Sequence, residues 1–310
     1  MTNPLKDVNN WLYHLGDIGA GKAKQIRISN ADLVIIDYQN FSHHEPRPYT
    51  PAELDTMRGA NDKLIVSYLS IGEAEDYRPY WKSGWGDKPP GFLSASNPEW
   101  PDNYKVKYWE KGWQDIVFKH VDDIVKAGFN GLYMDIIDGF QYWERVAPHK
   151  GIDYQQEMVD FVTAIRARAE KTLAEIGEER EFVLIGQNGE KLITNPEYLG
   201  AIDGIAKEDF RFHYYNGHES KFKPAPDVWF EDAKPYLERA EAEGVEVFVV
   251  EYMTKARQSE YAKVLQAEID YLKANGMSLY VAEDRDLDAI YDQPVGLNGL
   301  EAPADDAPLL

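Results

Sequence analysis

Eight short β-rich runs recur along the chain, most of them followed by a stretch of helical periodicity. This alternation narrows the fold more than any other feature. The runs lie at 11–15, 33–37, 64–70, 131–135, 182–186, 204–207, 245–250 and 278–281. Leu33-Val34-Ile35-Ile36 and Val247-Phe248-Val249-Val250 are apolar without interruption, as in strands buried on both faces of a parallel sheet. Between the runs, 114–127 carries Ile116, Val117, Val121, Ile124 and Val125 at helical spacing and stops at Gly128. The stretches 154–173 and 261–274 behave alike, the second ending at Asn275-Gly276. Eight strands with intervening helices predict an α/β chain folded as a single-domain (β/α)8 TIM barrel. An open doubly wound sheet competes, because alternation alone does not separate closure from openness. The barrel is assigned to 11–295, after an N-terminal extension at 1–10. The aperiodic Pro-, Asp- and Ala-containing stretch 296–310 reads as a flexible tail. A long aromatic-rich loop, 72–112, follows the third strand and holds Trp81, Trp85, Trp100 and Trp109. Loops of that length commonly serve binding or catalysis.

Charge limits the partners. With 54 acidic against 33 basic residues, the formal charge is −21, which repels nucleic acid and anionic membranes and favours cationic or neutral ligands. No apolar run approaches the roughly 20 residues that cross a bilayer. The absence of cysteine excludes disulfides, thiolate metal sites and cysteine nucleophiles. Met1-Thr2-Asn3-Pro4-Leu5-Lys6-Asp7 has no apolar leader core, so the compartment stays open at this point. Gly16-Asp17-Ile18-Gly19-Ala20-Gly21-Lys22 matches most of a phosphate loop, but Ala23 stands where magnesium binding needs Ser or Thr. The histidines, including His43-His44, lack zinc-ligand spacing, and no Gly-x-Ser-x-Gly elbow occurs.

In a barrel, residues at the C-terminal strand ends face the mouth. Read in strand order, those positions hold Asp37 and Tyr38; Tyr68, Ser70 and Glu73; Asp135 and Asp138; Gln187 and Asn188; Glu208 and Asp209; Glu251 and Tyr252; and Glu283. Folding requires none of these there, and crowded carboxylates repel one another unless a cation or polyhydroxylated ligand relieves them. Acetal hydrolysis needs two carboxyl groups flanking the scissile bond. Asp135, from the fourth strand, and Glu208, from the sixth, are the candidate pair. A single strand-end acid would more readily be explained as a helix cap or a salt bridge.

The block Tyr68-Leu69-Ser70-Ile71-Gly72-Glu73-Ala74-Glu75-Asp76-Tyr77-Arg78-Pro79-Tyr80-Trp81 resembles the signature of glycoside hydrolase family 114, the endo-α-1,4-polygalactosaminidases. So do Asn97-Pro98-Glu99-Trp100-Pro101 and the block from Gly128 through Asp135 to Asp138, and the likeness runs over about 11–282. The resemblance implies a (β/α)8 barrel that cleaves α-1,4-linked galactosamine polymers, without metal or organic cofactor, as an exported enzyme. A secreted or periplasmic location is therefore expected, with a cytoplasmic one left open. Asp135 and Glu208 match the catalytic pair; Asp209 stands where the family usually has serine. Asp37, Glu73, Asp138 and Glu251 would hold hydroxyls or an ammonium group. Tyr38, Tyr68, Ser70, Gln187, Asn188 and Tyr252 complete the substrate contacts, and Trp81, Trp85, Trp100 and Tyr214 offer stacking faces. The expected partner of the acidic mouth is a cationic or amino-sugar polysaccharide, acted on by a monomer. In a retaining scheme Asp135 attacks and Glu208 serves as acid and base, the two lying about 5–5.5 Å apart. Glu208 is then expected to hold a proton at rest. A non-catalytic polysaccharide-binding barrel and a hydrolase of another α-linked sugar are the alternatives.

Overall fold

The computed structural model describes residues 3–42, 46–59, 63–148, 150–213, 223–224, 227–291 and 293. Strands β1 Trp11–His14, β2 Leu33–Asp37, β3 Leu64–Ser70, β4 Gly131–Asp135, β5 Val183–Gln187, β6 Gly204–Glu208, β7 Glu246–Tyr252 and β8 Ser278–Ala282 form one sheet in sequence order. Every neighbouring pair is parallel. Helices α1 Ala20–Ile28, α2 Pro51–Arg58, α3 Lys111–Ala127, α4 Gly139–Val146, α5 Tyr154–Ile176, α6 Pro196–Ala201, α7 Asp227–Ala242, α8 Lys255–Glu260 and α9 Ala262–Ala274 surround it. The result is a (β/α)8 barrel, and the open-sheet alternative falls away.

Closure is completed by side chains and turns. No ladder joins β1 to β8. Instead the Leu287 carbonyl accepts from the Leu15 and Gly16 amides at 2.8 and 3.3 Å. On the other side of the seam, the Gln293 side chain accepts from the Val281 amide at 2.8 Å and donates to its carbonyl at 3.2 Å. The segment after β8 thus satisfies backbone groups that an open sheet edge would leave unpaired.

The helix ends follow local chemistry. Helix α3 stops at Gly128 (φ 96°) and α5 at Gly177 (φ 72°), left-handed caps that glycine adopts without a Cβ penalty. The 72–112 stretch is built rather than loose. Glu73–Glu75, Leu93–Ser96 and Asn103–Val106 form a three-stranded antiparallel sheet. Trp81 packs on Trp85 and Tyr104 at ring separations of 5.1 and 4.8 Å, and Trp85 packs on Phe92 at 5.5 Å. The N-terminal residues also dock: Leu5 is buried, and Asn3 donates to the carbonyls of Asp203 and Gly244 at 2.7 and 3.1 Å. Lys22 of the phosphate-loop-like segment donates to the Asp288 carbonyl, a structural tie at 2.5 Å. Tyr214, the His43-His44 pair and the 296–310 stretch lie outside the described residues. Among the described residues, no helix is long and apolar enough to cross a membrane.

Candidate active site

Side chains of alternate residues point to opposite faces of a strand, so one set from each strand fills the barrel. Trp11 and Tyr13 of β1, Tyr68 of β3, Tyr133 of β4, Phe248 and Tyr252 of β7 and Tyr280 of β8 are all buried. Tyr13 meets Tyr133 at 4.9 Å between ring centroids, and Trp11 meets Phe248 and Tyr280 at 5.4 Å each. This aromatic plug ends in hydroxyls beneath a cleft of about 1080 Å3 at the C-terminal strand ends.

Two carboxylates rest on that layer. Asp135 accepts from the Tyr68 hydroxyl at 2.6 Å and from the Ile136 amide at 2.7 Å. Glu208 accepts from the Tyr252 hydroxyl, from the Gln187 amide group and, at 3.1 Å, from Asn188 Nδ2. The Tyr13 hydroxyl donates to Gln187 Oε1 at 3.2 Å. That fixes which end of the amide faces the carboxylate, since only the NH2 end can donate. Burial and the nearby carboxylates push the phenols of Tyr13, Tyr68, Tyr133 and Tyr252 well up, so they remain protonated donors.

The two acids sense one another. Burial, reinforced by the Glu208 carboxylate, pushes the Asp135 carboxyl up to about 8, against the pull of Tyr68 and the Ile136 amide. The pair therefore holds a proton near neutral pH, and interacting acids of this kind titrate as a unit. The resting proton was expected on Glu208; the carboxyl pushed up is that of Asp135. Asp138 is raised to about 6 by burial, with Lys207 and Lys105 opposing.

Around this centre several of the expected acids are already engaged. Asp37 is held through both oxygens by the Arg78 guanidinium at 2.7 Å, and Arg78 also reaches Glu75 at 2.7 Å. Glu73 is paired with Lys105 and accepts from Asn97 at 3.1 Å. Asp37, Glu73, Asp138, Asn188 and Trp100 line the cleft, as do Tyr77, Arg78, Lys105, Tyr142, Arg145 and Arg285, which sequence reasoning missed. Tyr77 and Trp100 present the broad aromatic faces, 49% and 42% exposed. Arg285 lies 5.5 Å over the Tyr252 ring and 3.7 Å from Asp209, which turns beneath it rather than into the cleft.

Six expected contacts fail, two of them by strand geometry. Asp37 faces the cleft, so its neighbour Tyr38 points outward, edge-on to His120 of α3 at 5.7 Å. Tyr252 faces inward, so Glu251 points out toward the helices, where it accepts from the Arg211 and Phe212 amides at 2.5 and 3.2 Å. Ser70 is buried and donates to the Glu73 carbonyl at 3.2 Å, which pins the turn instead of touching ligand. Trp81 and Trp85 pack within the small sheet, and Glu283 does not line the cleft. Tyr13 was detectable, being two residues from inward-facing Trp11 in a four-residue strand. Arg78 gave no comparable signal, because its partner Asp37 is 41 residues away. Among the described residues no group of three His, Asp or Glu is arranged to hold a metal ion.

The model of glycoside-hydrolase family GH114 matches residues 2–297. An uncharacterized protein of Methanocaldococcus jannaschii is 32% identical over 302 residues, covering 94% of this chain and 81% of its own length. An uncharacterized protein of Thermotoga maritima is 30% identical over 302 residues, covering 95% and 86%. Among solved structures, the glycoside hydrolase domain of PelA from Pseudomonas aeruginosa has a TM-score of 0.65 at 16% identity, covering 91% of this chain and 97% of that one. Aspergillus fumigatus Ega3, in complex with galactosamine, has a TM-score of 0.61 at 14% identity, covering 88% and 90%. At these identities the structural likeness speaks to the barrel fold.

Proposed function

The chain belongs to glycoside hydrolase family GH114, and from that premise we propose that it cleaves an α-1,4-linked, galactosamine-containing polysaccharide within the chain, using Asp135 and Glu208. The observation that carries this reading is the convergence of two carboxyls, from β4 and β6, on one cleft where the Glu208 carboxylate raises the affinity of Asp135 for a proton. One shared proton suits a reaction that needs an ionised nucleophile and a protonated acid at the same moment.

Ionised Asp135 attacks the anomeric carbon while Glu208 gives its proton to the leaving oxygen. Tyr68 and the Ile136 amide hold the attacking carboxylate in place. Glu208, now ionised, takes a proton from a water whose oxygen attacks the anomeric carbon, breaking its bond to Asp135 and releasing the sugar with its configuration retained. The amide groups of Gln187 and Asn188 and the Tyr252 hydroxyl keep Glu208 aimed through both half-reactions.

The amino-sugar preference rests on charge. Asp102, Asp138 and Asp286 line the cleft together with the catalytic pair. An ammonium group near Asp138 would restore the charge that burial disfavours. Trp100 and Tyr77 supply faces for sugar rings. The fold shared with Ega3, which binds galactosamine in its solved complex, points the same way.

The test is to incubate the protein with partly N-acetylated α-1,4-galactosamine polymer, follow released oligosaccharides, and read the first-formed anomer by NMR. Asp135→Asn and Glu208→Gln should abolish turnover with thermal unfolding unchanged. Wild-type rates in either variant would overturn the assignment. Tight binding without cleavage by the wild type would favour a carbohydrate-binding barrel, and a β-anomeric product would make the enzyme inverting.

A further inference from the structure

Behind the cleft, on the outer face of the barrel, two carboxyls face one another. Glu251 of β7 is completely buried, and Glu268 of α9 is 2% exposed. Glu268 sits in the apolar stripe of its helix with Leu265, Ile269 and Leu272. Neither of its oxygens meets an N–H or O–H donor among the described residues, and the group facing it is the Glu251 carboxyl. Two adjacent buried carboxylates would repel strongly, so the pair retains a proton. Backbone amides already donate to both oxygens of Glu251. The retained proton bridges the two carboxyls, and burial together with Glu268 pushes the Glu251 carboxyl well up, so it is the last of the two to ionise.

Those backbone amides belong to Arg211 and Phe212, three and four residues after Glu208. The intervening chain is taut. Asp209 has a left-handed backbone (φ 52°), its amide donates to the Val250 carbonyl at 3.1 Å, and Phe210 is buried. The direction in which Glu208 leaves β6 is thus anchored on one side by β5 side chains and on the other by Glu251.

We propose that Glu251 and Glu268 form a one-proton clamp on the segment after β6, making Glu268 a positioning residue for Glu208 that never touches substrate. The proposal builds on the catalytic role assigned above to Glu208. Arg211, whose guanidinium lies 4.9 Å over Phe230 of α7, faces the pair as the opposing cation, and Asp209 adds to the negative side. Burial holds the Glu268 carboxyl up at about 8. A carboxyl raised in the folded state stabilises it at low pH, and that contribution is lost as pH rises through the raised value. The Glu251 carboxyl is pushed well above the ordinary range by burial and by Glu268, so the pair keeps its last proton beyond the titration of Glu268 and the clamp opens only when that proton leaves, further into the alkaline range.

Glu268→Gln keeps a hydrogen-bonding partner for Glu251 without a second titrating carboxyl; Glu268→Ala removes that partner. Two measurements separate the roles: amide hydrogen exchange of a peptide spanning 209–213, corrected for the intrinsic effect of pH, and kcat and KM on α-1,4-galactosamine oligosaccharides. In Glu268→Ala, exchange at Arg211 and Phe212 should quicken and kcat should fall, each about tenfold or more, with KM within about twofold. Glu268→Gln should match wild type at about pH 6 and, unlike wild type, stay protected at the alkaline end of the pH series, where the wild-type pair loses its last proton. Wild-type kcat in Glu268→Ala would overturn the positioning role. Equal exchange in wild type and Glu268→Gln at high pH would overturn the clamp, and it remains decisive if Glu268→Ala does not fold. Absence of wild-type turnover would remove the reaction reading, and with it the role toward Glu208, while the exchange comparison still decides whether the proton closes the segment.

Discussion

Tyr68→Phe isolates the proton that the proposed catalytic pair, Asp135 and Glu208, shares. The Tyr68 hydroxyl donates to Asp135 at 2.6 Å from a position only 7% exposed, and the ring that remains after substitution keeps the barrel packing. A hydrogen bond to a charged group contributes roughly 1.5–3 kcal/mol, so its loss raises the proton affinity of Asp135 by about one to two pKa units. Two consequences follow with opposite appearances. The productive arrangement, with Asp135 ionised and the proton on Glu208, becomes rarer relative to the reverse, and kcat/KM on its plateau falls about 10- to 100-fold. The pair also gives up its last proton less readily. Activity that needs that proton disappears in wild type as pH rises through about 8. In the variant this alkaline limb moves upward by about one to two units. The assay is kcat/KM on galactosamine oligosaccharides from mild acid to about pH 10, since this ratio reports the free enzyme. An unchanged plateau, or a limb that moves toward acid, would mean that Tyr68 does not control the shared proton.

Other perturbations probe the scaffold and the rim. Gly72→Ala places a Cβ against the Ile136 carbonyl oxygen and within 2.6 Å of its Cγ2. The variant should lose about 1–3 kcal/mol of stability in denaturant titration, and its turnover should fall as the Asp135 turn shifts. Arg78→Met leaves Asp37 and Glu75 buried without their cation, at about 3–5 kcal/mol, read as a lowered unfolding midpoint at neutral pH that recovers in mild acid. Trp100→Ala should raise KM for long oligosaccharides by about three- to tenfold while leaving short ones nearly unaffected, in keeping with a stacking contribution of about 0.5–1.5 kcal/mol.

Much of the barrel could be read from the chain because its signals are local. Apolar runs such as Leu33-Val34-Ile35-Ile36 became central strands, and Gly128 stopped α3 where its left-handed cap predicts. Strand ends were misjudged where a polar residue finishes the ladder: Gln187, Glu208 and Tyr252 belong to β5, β6 and β7. Such residues look like loop because their side chains serve the cleft while their backbones still pair. Tyr38 and Glu251 were misassigned although strand alternation, legible in the sequence, places each opposite its inward neighbour. The ion pairs were not legible at all. Arg78 with Asp37, or Lys105 with Glu73, joins residues whose proximity only the closed barrel creates. The 72–112 sheet escaped notice although Leu93–Ser96 and Asn103–Val106 alternate apolar and polar residues, because each run is only four residues long among turn-forming Pro, Gly and Asn and is held by aromatic packing from the same segment.

Backbone conformation links the fold to the proposed chemistry. Ile136, Asn188 and Asp209 all have positive φ (59°, 60° and 52°), and they follow the last residues of β4, β5 and β6. Asparagine and aspartate tolerate this region; a β-branched isoleucine does not, and its strain must be compensated by the surroundings. At Ile136 the kink turns its amide onto Asp135, and Gly72 makes room for the displaced carbonyl by lacking a side chain. At Asn188 the kink folds the side chain back, so that Nδ2 donates to the Glu208 carboxylate while Oδ1 accepts from the Glu208 amide at 3.2 Å. At Asp209 it carries the chain toward Val250 and the Glu251 carboxylate. A parallel strand left to itself would run straight out of the barrel. Three successive left-handed turns instead bend the exits around the two acids, so the strained residues lie where orientation matters most for catalysis.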